Sequence, residues 1–96
     1  MSKKKQPIKI IVSKLGNYKA DGLAWTDERV IAIDERLKGF RALDVLVHEV
    51  THCQNPKWSE IMVEGRAKEM AEILWQMGYR KCDLYEGEIS KERKPV

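Results

Sequence analysis

His48 and His52 stand four residues apart, with Glu49 directly after the first, in the run His48-Glu49-Val50-Thr51-His52. On a helix, positions i and i+4 lie about 5–6 Å apart at Cβ on one face, so two imidazoles can converge on a single ion. At 3.6 residues per turn Glu49 is rotated by about 100° from His48, so its carboxylate borders that ion without having to ligate it. These types at this spacing suit metal-assisted hydrolysis, in which a bound ion lowers the pKa of a water to about 7 and a neighbouring carboxylate takes its proton.

The same five residues could be two ordinary helix histidines and a solvated charge. Their setting argues for chemistry. Phe40, Leu43, Leu46, Val47 and Val50 recur at helical spacing and make an apolar stripe that anchors a helix over about residues 40–54. The pattern is therefore on a helix, as the HExxH arrangement of zinc-dependent peptidases requires.

Further elements are needed to position it. Ile8-Lys9-Ile10-Ile11-Val12 is short, β-branched and bounded by Pro7 and Gly16-Asn17, which predicts a first strand. Leu23 to Thr26 and Arg29 to Asp34 predict two more, joined as a hairpin across Asp27-Glu28. Asn55-Pro56 ends the motif helix, because proline restricts the residue before it and lacks an amide donor. Ser59, or Asn55 ahead of Pro56, caps a second helix whose pattern runs through Ile61, Met70, Ala71 and Leu74 to Met77, with Gly78 as its stop. The expected class is α+β: a small antiparallel or mixed sheet of about three short strands, followed by two antiparallel helices that carry the metal site.

A hydrolytic zinc site takes three protein ligands and leaves a position open for water. The chain has two histidines. A third histidine ligand, as in metzincins or SprT-like proteases, is thereby excluded, and Asn55 and Trp58 stand where the metzincin pattern has glycine and histidine. The third ligand should be a carboxylate. In a helical hairpin turning near residues 57–58, residues equidistant from the turn share a level, which places Glu64 closest to His52. Glu60, four residues earlier on the same face, is the runner-up, and both could equally form a solvated acidic stripe.

His48-Glu49-Val50-Thr51-His52, followed after eleven residues by Glu64-Gly65-Arg66-Ala67, resembles the gluzincin pattern of HExxH then ExxA, the group that includes thermolysin. Closer still is the resemblance to small phage and bacterial proteins called minimal gluzincins, whose second helix ends like Ile73 to Arg80; it covers roughly residues 22–80. The resemblance implies a metallopeptidase-like fold with His48, His52 and Glu64 as zinc ligands and Glu49 as general base. Lys68 departs from the acid or amide that many gluzincins place after the alanine, which leaves Glu69 as a substitute support.

Composition bounds the rest. A chain of 96 residues, 43% hydrophobic and 34% charged, is expected to form one globular domain of modest core that a metal would help to hold together. No apolar run approaches the length of a membrane span and no signal-peptide core follows the basic start, so a cytoplasmic location is expected. Cys53 and Cys82 are too few for a disulfide framework; Cys53 is expected to be a buried thiol and Cys82 a surface residue or a latent ligand for the open metal position. The net charge of +3 conceals six lysines and no acid in residues 1–20, against nine bases and fourteen acids in residues 21–90. Lys3, Lys4 and Lys5 could touch nucleic acid, but the acidic body and the lack of interleaved aromatics argue against that partner. Trp25, Trp58 and Trp75 are expected to be packing residues.

The function expected is zinc-dependent hydrolysis of peptide bonds with a peptide or protein substrate. The strand from Arg29 to Asp34 could hold an extended peptide if it were the sheet edge beside the cleft. Tyr79, Arg80 and Tyr85 are candidate donors to the developing oxyanion. The competing reading is a zinc-stabilised binding or regulatory module without turnover. Oligomeric state is left open.

Overall fold

The computed structural model describes residues 6–16 and 19–81. Three strands precede two helices: β1 (Lys9–Ser13), β2 (Gly22–Trp25), β3 (Val30–Asp34), α1 (Gly39–Gln54) and α2 (Glu60–Gln76). The fold is α+β with a mixed sheet in the order β1-β3-β2, β1 parallel and β2 antiparallel to the central β3. Register places Ile10 opposite Ile31, Val12 opposite Ile33 and Ala24 opposite Ile31, so one sheet face carries an apolar stripe across all three strands.

α1 packs on that face through Val45, Leu46, Val50 and Cys53, around a fully buried Ile31. Its other side meets α2 through Phe40, Leu43 and Val47, against Ala67, Ala71 and Leu74. The helices run antiparallel, and α1 is the middle layer between the sheet and α2. Ala67 and Ala71 let the two backbones approach, while the Trp75 ring meets Phe40 edge-on at 5.6 Å and closes the far end of the helix pair.

Local signals explain the boundaries. Ser59 Oγ accepts the Met62 amide at 3.2 Å, the N-cap bond that starts α2. Gly78, at φ +96°, ends it: the Gly78 amide donates to Trp75 O and the Tyr79 amide to Leu74 O, a Schellman arrangement that needs a left-handed residue. The β2–β3 hairpin turns over four residues, Thr26 to Arg29, rather than the two expected. Asp27-Glu28 lacks the glycine that a two-residue turn favours, and Arg29 takes a left-handed position at the end of the longer turn, at φ 56°. Arg29 is held there by its own side chain, which donates to Gln6 O at 2.7 Å and to Cys53 O at 3.2 Å and so ties the hairpin to the end of α1.

Asp34, at the end of β3, is buried and fully occupied. It accepts from the Leu15 amide, the Arg36 amide and the Arg36 guanidinium, and that guanidinium holds its carboxyl well below the usual carboxylate range. Among the described residues no helix is long and apolar enough to cross a membrane.

Candidate metal centre

The last turns of α1 present His48 and His52 on the side turned toward the start of α2. Their ring centroids are 4.9 Å apart, and each side chain is about one quarter exposed. Both Nε2 atoms point at one carboxylate, that of Glu60: His48 Nε2 lies 3.1 Å from Oε2 and His52 Nε2 lies 2.9 Å from Oε1. The three side chains offer one ligand atom each within 4.8 Å of one another, a group able to hold a metal ion. Two imidazole nitrogens and a carboxylate oxygen are the donor set of a tetrahedral zinc site, in which bond lengths near 2.0–2.1 Å place ligand atoms about 3.3 Å apart.

Of the sequence-expected ligands, His48 and His52 are brought together and Glu64 is not part of the group; the runner-up, Glu60, takes its place. The reason lies in helical phase. Glu60 is seven and eleven residues before the buried Ala67 and Ala71, within about 20° of each around the helix, so it shares the side turned to α1. Glu64, exposed like Glu60 and lining the same cleft, is rotated about 40° further round, close in phase to Ala71 but about 60° from Ala67. Height above the turn, which favoured Glu64, is the weaker criterion because a glutamate side chain spans most of one helical turn.

Glu49 is turned off the face shared by the two histidines and lies against β2, as its offset of about 100° requires. It is half-buried against Gly22 and borders the cleft. Burial pushes its carboxyl above the usual range, the neighbouring His48 and His52 pull it back, and Glu60 adds to the upward push. Gly22 was not singled out by sequence. A methyl in its place would come within 2.7 Å of Val45 Cγ1 and 3.0 Å of Glu49 Cγ, so the bare backbone of β2 is what admits the glutamate. A glycine opening an apolar strand is the available signal, since it weakens a strand unless something approaches closely.

The cleft has a volume of about 420 Å³, and His48, Glu49 and Glu60 line it together with Asp21, Arg41 and Lys68. Arg41 closes part of the wall by pairing with Asp21, its Nε 3.0 Å from Oδ2. The strand beside this cleft is β2. The expectation that Arg29 to Asp34 forms the edge is corrected: β3 is central, both its sides already hydrogen-bonded, and β2 is the edge strand whose Gly22 lines the cleft.

Other expected participants lie elsewhere. Tyr79 and Arg80 line a separate apolar cavity of about 360 Å³ with Ile10, Val12 and Leu46, and Arg80 stacks 3.4 Å above the Trp75 ring centroid while donating to Trp75 O. They are not placed to serve the metal group. Cys53 is buried and free, and burial pushes its thiol up, as an inert structural cysteine requires. Cys82, Tyr85 and the Lys3-Lys4-Lys5 tail lie outside the described residues. No family model, curated protein or solved structure matches the chain.

Proposed function

We propose that this protein is a zinc-dependent peptidase, with His48, His52 and Glu60 as the metal ligands and Glu49 as general base. The observation that carries the reading is the convergence of both histidine Nε2 atoms on the Glu60 carboxylate, with Glu49 held half-buried beside them. The likeness of the HExxH run to gluzincins supports the same assignment.

When bound, zinc supplies a Lewis acid that brings the pKa of a water to about 7 and polarises a carbonyl. Glu49 then has the two tasks of a general acid–base: its carboxylate accepts the proton of the attacking water and returns it to the amide nitrogen as the carbon–nitrogen bond breaks. Gly22 and Val45 fix the glutamate on its sheet side, so the carboxylate keeps its place as the proton moves. An extended peptide gains backbone hydrogen bonds along the free edge of β2, whose groups pair only with β3 on the other side among the described residues.

The test is a Glu49→Gln protein compared with wild type on a peptide library. Zinc binding should be retained and cleavage should fall by about 10²–10⁴-fold, the usual contribution of a positioned acid–base group. Equal cleavage by the variant would end the assignment of Glu49. A zinc-loaded wild type that cleaves nothing, yet unfolds on chelation, would instead identify a metal-stabilised module.

A further inference from the structure

α2 carries a second face that faces neither α1 nor the cleft. Met62, Met70, Ile73 and Met77 are 41, 54, 53 and 72% exposed on it. Through its middle runs a seam of Met62, Arg66, Glu69 and Ile73, spaced by four, three and four residues, the spacing by which one helix meets another in a coiled coil. The seam has apolar ends and two opposite charges at its centre, and neither Arg66 nor Glu69 is in an ion pair among the described residues. Arg66 lies over the Trp58 ring at 5.2 Å.

We propose that this face is the interface of a homodimer in which α2 packs antiparallel on α2 of a second copy, about a twofold axis passing between Ala67 and Lys68. In that register Met62 is level with the partner's Ile73 and Arg66 with the partner's Glu69, and the symmetry makes each pair twice. A parallel pairing would set each Arg66 against the partner's Arg66 and each Glu69 against the partner's Glu69, so charge complementarity selects the antiparallel arrangement. Gly65 flanks the seam with open space over its Cα, and a depression bounded by Ile61, Met62, Arg66 and Glu69 leaves room for an incoming side chain. Glu60 points to the other side of α2, so the metal group and its cleft stay open in the dimer.

The experiment is sedimentation velocity on the full-length chain over a wide concentration series. Wild type should show a concentration-dependent dimer. Arg66→Glu or Glu69→Arg alone should weaken it by more than about tenfold, because each sets like charges opposite one another. An equimolar mixture of the two single variants should recover the dimer as a heterodimer, since all the facing charges are then opposite. The double variant R66E/E69R, with the same charges exchanged, should dimerise as wild type does and decides the matter if a single variant fails to fold. A wild type that stays monomeric throughout, or single reversals that dimerise unchanged, would overturn the proposal.

Discussion

Gly22 and Glu49, twenty-seven residues apart in sequence, are in such close contact that a methyl on Gly22 would lie 3.0 Å from Glu49 Cγ and 3.1 Å from its Oε2. The edge strand and the motif helix are thus fitted to one another at the proposed base. Gly22→Ala should overpack this contact and destabilise the fold by about 1–3 kcal/mol. Zinc stoichiometry should be unchanged, because all three proposed ligands are on the helices, while cleavage drops as Glu49 is pushed from its place. Urea unfolding alongside a cleavage assay checks both; a variant with wild-type stability and activity would show that the contact is slack.

Glu60→Gln and Glu64→Gln separate the two acidic positions. Loss of outer-sphere partners alone weakens metal sites by about 10–100-fold, so removal of an anionic ligand should cost about a hundredfold or more in zinc affinity. Glu60→Gln should show that loss by competition with a chelating dye, and Glu64→Gln should bind one zinc nearly as tightly as wild type. The opposite pattern would return the third ligand to Glu64 and the ExxA segment.

Asp34 makes stability depend on pH in a defined window. Its folded-state carboxyl is held well below the unfolded value of about 3.9, chiefly by its hydrogen bonds from Arg36, so the stabilisation is fully present above that value and is lost as pH falls through the folded one. Asp34→Asn should therefore be less stable than wild type at neutral pH, with the gap narrowing as pH drops from about 4 toward 2. Urea midpoints of both proteins across that range measure the gap; a constant difference would mean the carboxylate contributes by shape and neutral hydrogen bonds alone.

Ala67→Leu tests the approach of the two helices that bring Glu60 to the histidines. Ala67 is 1% exposed against Val47, and a larger side chain there should cost about 1–3 kcal/mol by overpacking. Because the proposed ligands come from both helices, zinc affinity should fall with stability. In wild type, free zinc at one hundred times its dissociation constant should add about 2.7 kcal/mol to unfolding, and this increment should shrink at the same zinc concentration in the variant. Thermal melts with and without zinc read both effects.

Much of this architecture was legible along the chain. The β-branched run at Ile8 to Val12, the stripe from Phe40 to Val50, the break at Asn55-Pro56, the Ser59 cap and the Gly78 stop are local signals, and the observed elements begin and end within a residue or so of them. Short-range geometry also sufficed to set His48 and His52 on one helix face and to turn Glu49 off it. The four-residue hairpin was the local exception, because the left-handed residue is Arg29, whose cost is offset by hydrogen bonds to Gln6 and Cys53 far away in sequence.

Only the tertiary structure decided what depends on how elements meet. Which strand is central and which is the edge follows from pairing between β1 and β3, across the intervening β2, and no local pattern encodes that order. The choice of Glu60 over Glu64 rests on the phase at which α2 lays Ala67 and Ala71 against α1, a rotation of a few tens of degrees that spacing along one helix leaves free. The sequence by itself determined that two histidines and a glutamate would share a helix. The second glutamate, Glu60, that meets them and the bare glycine that admits Glu49 were settled by packing, because both lie on other elements and become neighbours only when the chain closes around α1.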